Sequence, residues 1–251
     1  MRAFERDATE RIPMRNLCLA TTALLCFAAH ADEPALRFSV SDSSTMPMMR
    51  IEDGVAREGI LYDLHLRIAE KVGRRAQQTV MSRLRVQKMM SDGRIDVSCY
   101  LHPSWLRENG YRYRWTVPFM VQRNQLVGRD NRVTVPEHGE VIGTVLGFSY
   151  PFDSMFASGA LRRDDGRTQE IVLAKLEAGR YRFAISNDLS LRWFNRDLPP
   201  HERLVALREL SAEPVACIVR DVAQVPTAQV IEAMQQMQRD GEFEAILERY
   251  R

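Results

Sequence analysis

The chain has 251 residues, with 35 Lys and Arg against 33 Asp and Glu, a formal net charge of +2. That balance excludes the strong positive field on which non-specific nucleic-acid binding depends. Every basic residue except Lys71, Lys88 and Lys175 is arginine, so an Arg-rich stretch such as "YRYRW" carries little weight as a nucleic-acid strip.

The N-terminal stretch "MRNLCLATTALLCFAAHADEP" has a charged start at Arg15, an apolar run from Leu17 to Ala29 and a small-x-small end at Ala29-His30-Ala31. This pattern predicts an export signal over residues 1–31, cleaved before Asp32, with Met1 or Met14 as the start. Leu25 stands before Cys26 where a lipoprotein signal wants a small residue. No later window approaches the ~20 apolar residues that a membrane-spanning helix needs. Residues 32–251 suffice for one large or two small domains.

Next, "ALRFSVSD" alternates as a strand and ends in a polar turn, and "EDG" reads as a second turn. In "GILYDLHLRIAEKVG", Leu61, Leu64, Ile68, Ala69 and Val72 recur at helical spacing and Gly73 closes the helix. A helix over roughly Leu84 to Met90 leads into the strand "RIDVSCYL". Tyr111, Tyr113 and Trp115 alternate with Arg112 and Arg114, which in a strand puts the aromatics inward and the arginines outward. Further strands are expected at "EVIGTVLG" and "FAIS", with helices around Pro151 to Leu161, Thr168 to Ala178, Thr227 to Gln238 and Glu242 to Arg251. Alternating strands and helices predict an α/β layer architecture with parallel strands.

The unit "QKMMSDGRIDVSCYL" is echoed by "LAKLEAGRYRFAISND", which predicts two similar lobes. The extended segments "WTVPFMVQRNQLVGR" and "SAEPVACIVR" are the candidates for two crossings between them. Cys99 and Cys217 both lie in apolar strand-like segments. That setting favours buried free thiols over the disulfide that an exported chain can form.

Catalytic signatures are scarce: there is no Gly-x-Ser-x-Gly elbow, phosphate loop or dinucleotide fingerprint, and no histidine or cysteine pair at metal-ligand spacing. No cofactor and no metal are expected. Asp164-Asp165 beside Arg162 and Arg163 reads as a solvated turn. Polar groups at strand ends remain, and in parallel sheets ligands bind at the carboxyl ends of strands. These groups are Asp42 and Ser43, Ser104 and Arg107, Phe148 and Ser149, and Asp188. Converging in one cleft, they would offer an arginine fork for a carboxylate and an aspartate for an ammonium. Ser149 and Asp188 also read as helix N-caps.

In order and spacing, "LRFSVSD", "EDGVAREGILYDLHLRIAEKVG", "RVQKMMSDGRIDVS", "RYRWTVPF", "IGTVLGFS", "AISND" and "MQRDGEFEAILERY" resemble bacterial extracellular solute-binding proteins of family 3. These are the periplasmic receptors of amino-acid ABC importers. The resemblance implies a two-lobed periplasmic-binding-protein type II fold, each lobe a mainly parallel sheet flanked by helices, joined by two crossing strands. Lobe 1 would be residues 32–119 plus 215–251, and lobe 2 residues 120–214. It implies a non-enzymatic, monomeric periplasmic protein that closes on a small solute, an amino acid or related carboxylate, and presents it to an ABC permease in the inner membrane. Contact with nucleic acid and insertion into the membrane are not expected. By position, Asp42 would touch the ligand from the first-strand loop. Ser104-Trp105-Leu106-Arg107 stands where relatives carry Thr-x-x-Arg, whose arginine holds the α-carboxylate. Gly147-Phe148-Ser149 would complete that grip, and Asp188 would take the α-ammonium.

Phe148 replaces a usual small hydroxyl residue, methionines (Met46, Met48, Met49) stand where relatives often carry aromatics, and the segment after Arg107 is longer than usual. These departures point away from any one amino acid. The alternatives are an accessory or sensor protein with a reused cleft, or a dehydratase-like enzyme on the same scaffold.

Overall fold

Strand β1 (Leu36–Ser41) buries Leu36, Phe38 and Val40 on one face, as its alternation predicts. The computed structural model describes residues 33–106 and 112–251, so the expected export signal, Arg107 and Tyr111 lie outside the described residues. After β1 come a hairpin, β2 (Arg50–Glu52) and β3 (Val55–Glu58), then α1 (Ile60–Lys71), β4 (Ala76–Met81), α2 (Arg83–Ser91) and β5 (Val97–Leu101). A 3-10 turn, Pro103–Trp105, precedes β6 (Tyr113–Trp115) and β7 (Met120–Gly128). Next come β8 (Val141–Val145), α3 (Asp153–Ala157), β9 (Arg162–Gly166), α4 (Gln169–Glu177), β10 (Phe183–Asn187), α5 (Asp188–Asn195) and the 16-residue β11 (Val205–Arg220). Helices α6 (Thr227–Arg239) and α7 (Glu242–Glu248) close the chain.

The strands form a sheet in the order β4-β1-β5-β11-β7-β10-β8-β9, with β6 also paired to β11. One end is parallel through β4, β1 and β5, and the other through β10, β8 and β9. Between them β7 and β11 run antiparallel, from Val205 opposite Gly128 to Val215 opposite Met120. These two strands are the expected crossings. Beyond Val215, β11 continues antiparallel to β5 and β6. In β6 the half-buried Tyr113 and Trp115 flank the exposed Arg114, as the alternation predicts.

Leu36, Phe38, Leu64, Ile68, Met234 and Phe243 share one core, so the C-terminal helices return to the β1 end of the sheet. Around β8 and β10, Val172, Leu173 and Leu176 of α4 pack on one face, and Ile142, Phe183 and Ile185 on the other. Gly143 of β8 faces the ring of Tyr181, whose hydroxyl donates to the Val172 carbonyl at 2.7 Å. A methyl at Gly143 would fall 2.3 Å from that ring. Gly143→Ala is therefore expected to cost about 1–3 kcal/mol through overpacking. A urea denaturation midpoint equal to wild type would refute this seating of the ring.

Two sequence expectations are corrected. Cys99 and Cys217 form a disulfide instead of remaining free thiols. On β5, Cys99 and Tyr100 together oppose Cys217, because pairing jumps from Ala216–Leu101 to Ile218–Ser98. This β-bulge brings the two cysteine Cα atoms to 3.9 Å, a proximity set by strand pairing that single-strand patterns do not encode. Residues 162–166 form strand β9, where a solvated turn was expected. Asp165 accepts from Thr144 Oγ1 at 2.6 Å and Asp164 pairs with Lys175 at 2.7 Å. Charges of both signs suit a sheet edge, where they discourage further strand pairing.

Candidate functional site

A cavity of about 280 Å³ lies where the carboxyl ends of β1, β5, β8 and β10 meet. Parallel strands direct their following loops to one end, which is why a ligand site is expected there. From β1 and β5 come hydroxyls: Ser39 Oγ donates to Ser98 Oγ at 2.8 Å, and the Ser41 and Ser43 hydroxyls share a bond at 2.7 Å. Tyr100, at the bulge, has φ +65°. Few bulky residues adopt that left-handed backbone, and such outliers cluster at functional sites. The ring packs edge-on to Trp105 at 6.3 Å between centroids, and burial raises the phenol pKa well above its ordinary value.

Arg83, the first residue of α2, places its guanidinium 4.8 Å from the Phe148 ring centroid and 6.0 Å from that of Trp105. It thus joins the β5 side of the cavity to the β8 side through cation–π contacts. No described residue gives it an ion pair or hydrogen bond, and burial lowers its pKa below the ordinary guanidinium value. It is the one charged side chain among the described lining residues. Among the described residues, no three His, Cys, Asp or Glu side chains gather to hold a metal.

The residues nominated from the sequence are placed as follows. Ser43, Phe148 and Ser149 line the cavity. Asp42 lines an adjoining hollow of about 670 Å³, which shares Ser44, Thr45, Gln169 and Ser190 with it. Ser104 sits exposed in the 3-10 turn, its hydroxyl 2.8 Å from His102 Nδ1, while its neighbours Trp105 and Leu106 line the cavity. Asp188 borders a separate hollow beside Phe119, Pro214 and Phe243; it pairs with Arg192 at 3.2 Å, and its Oδ1 is buried without a partner. Neither expected cap forms: Asn187 caps α5, accepting from the Ser190 N–H at 2.8 Å, and α3 begins only at Asp153.

Arg83, Ser98, Tyr100, Trp105 and Asn187 were not singled out from the sequence, although all line the cavity. In a chain whose default cation is arginine, nothing local distinguishes Arg83. At Cys99 the sequence signals only the sulfur, and the left-handed turn beside it leaves no mark in composition.

No protein-family model and no curated protein sequence matches the chain. Solved structures do. An ancestral arginine-binding protein bound to arginine superposes with a TM-score of 0.71 at 17% identity, covering 86% of this chain and 97% of that one. The fold is the periplasmic-binding-protein type II fold. An arginine-, lysine-, histidine-binding protein from Geobacillus stearothermophilus shares this fold at TM-score 0.67 and 12% identity, over 86% of this chain and 95% of that one. So does a histidine kinase sensor domain with similarity to periplasmic binding proteins, at TM-score 0.67 and 15% identity, over 87% and 96%. In this chain the type II fold sets the cavity against both parallel ends of the sheet, with Arg83 and Phe148 meeting across it. No helix of the described residues is long and apolar enough to cross a membrane.

Proposed function

We propose that the chain is an exported solute-binding protein that captures a small polar solute, an amino acid or related carboxylate. Capture occurs between a lobe of residues 32–119 plus 215–251 and a lobe of residues 120–214, and the closed form is presented to an inner-membrane ABC permease. The observation that carries this reading is the cavity itself, lined from both parallel ends of the sheet and holding, among the described residues, one cation without a counter-ion. Closure around a solute gains its free energy from contacts made only in the closed state. A lining contributed by β1 and β5 on one side and by β8 and β10 on the other supplies such contacts. The Cys99–Cys217 disulfide agrees with export to an oxidising compartment. General acid–base catalysis needs a group that titrates near the working pH; the cavity's described titratable groups, Arg83 and Tyr100, hold their protons there, which favours binding over turnover.

The likeness to a sensor domain supports a second reading, in which the same cavity reports its solute to a signalling partner. Under either reading, the protein is expected to be stabilised by its solute. A ligand at about 100 times its dissociation constant adds roughly 2.7 kcal/mol, several degrees of melting temperature in a chain of this size. A thermal-shift screen of refolded protein against amino acids, carboxylic acids, polyamines and sugars tests this. A flat profile across every class would overturn it.

A further inference from the structure

Resting on the solute-binding reading, we propose that the preferred solute is a small organic anion without an amino group, held by Arg83 as its counter-ion. The described lining contains no Asp, Glu, Lys or His, and no described residue gives Arg83 a carboxylate or hydrogen-bond partner. A partly buried cation without a counter-ion is costly, and a carboxylate entering the cavity would supply the missing one. Stacked on the Phe148 face, the guanidinium keeps its N–H edge free for a planar, bidentate acceptor.

The neutral groups point the same way. Having accepted from Ser39, the Ser98 hydroxyl still has its own proton to donate. One hydroxyl of the Ser41–Ser43 pair is left in the same position. Asn187 uses its Oδ1 as a helix cap, which leaves its amide N–H groups for the cavity. A carboxylate accepts from all of these donors.

An ammonium would meet the opposite conditions, with no carboxylate in the described lining and Arg83 repelling it. Asp188, the group expected to take an ammonium, is held by Arg192 beside another hollow. Asp188 and Glu213 lie within electrostatic reach of the Tyr100 phenol, but neither lines the cavity. At about 280 Å³ the cavity falls just below the ~300–1,000 Å³ range of ligand sites, which favours a compact acid.

The test is calorimetric titration of the refolded protein with matched pairs, succinate against aspartate and 2-oxoglutarate against glutamate, with putrescine as a cationic control. The acid without an amino group is expected to bind at least tenfold more tightly than its amino counterpart. Arg83→Gln should weaken it at least tenfold and Arg83→Lys only a few-fold, both at a melting temperature near wild type. Should Arg83→Gln fail to fold, the wild-type pairs still decide. Tighter binding of the amino member, binding of putrescine, or affinity within threefold in Arg83→Gln would overturn the anion assignment and leave solute binding standing. Silence from every compound, together with a flat thermal-shift screen, would overturn both.

Discussion

Replacing Cys99 and Cys217 together by alanine is expected to lower the melting temperature by about 10–15 °C. The bond joins residues 118 apart. Cross-linking a loop of that length removes roughly 4–5 kcal/mol of chain entropy from the unfolded state on the loop-closure account, and a chain of this size loses about 2–4 °C per kcal/mol. The bond also lies in the cavity wall: Cys99 lines the cavity and precedes Tyr100, whose left-handed backbone the β5–β11 pairing holds in place. Differential scanning calorimetry of wild type and variant, each with and without reductant, separates the two states of the bond. Wild type under reductant should approach the variant, and the variant should not respond to reductant. A double-alanine variant melting within about 2 °C of wild type would refute the assigned stabilisation.

The architecture was legible wherever burial on one face imposes a period. Leu61, Leu64 and Ile68 mark α1, and Phe38 and Val40 mark β1. β4 leaves little mark in the sequence because it is an edge strand with one buried residue, Met81, so no strong alternation develops. The hairpin β2–β3 showed only its turn, at Asp53-Gly54. In the site, the strand-end rule led to Ser43, Phe148 and Ser149 because topology alone delivers the ends of strands to one place. It misplaced emphasis at the β10–α5 junction. Successive residues entering a helix rotate by about 100°, so Asn187 faces the cavity while Asp188 faces the hollow by the crossing strands. Arg83 was not legible at all, since its role depends on Phe148 and Trp105, which only the tertiary fold brings to it.

Lowering the pH from 7.5 to 4 is expected to remove about 3 kcal/mol of stability through His65. Its ring is fully buried on the α1 face that packs against β1, stacked on Phe38 with centroids 4.4 Å apart. His65 Nδ1 lies 3.1 Å from Gln78 Oε1, an acceptor, so Nδ1 carries the proton of the neutral ring. Nε2 is buried without a partner, and a proton added there would find no acceptor. Burial accordingly pushes the folded pKa down to about 4. In the unfolded chain the ring protonates near the ordinary value of about 6.5. Between these values the unfolded state binds the extra proton and the folded state does not, so stability falls as pH falls. The contribution is fully present above about pH 7, is reduced by about 1.4 kcal/mol at pH 5.5, and is lost by pH 4. Glu242, held at about 2 beside Arg67 and Lys71, protonates near its ordinary value in the unfolded chain, so its own contribution begins to fall at the acid end of this range, equally in wild type and in a His65 variant. Urea denaturation at pH 7.5, 5.5 and 4.5 is the measurement, with His65→Leu compared against its own value at pH 7.5 so that its baseline cost cancels. The variant should lose markedly less stability than wild type over this range, and equal losses would remove His65 as the cause. Because Phe38 and Ser39 point to opposite faces of β1, acid loosening of α1 would reach the strand that supplies the Ser39 and Ser41 hydroxyls. Solute affinity is therefore expected to decline over the same pH range in wild type and to hold more nearly constant in His65→Leu.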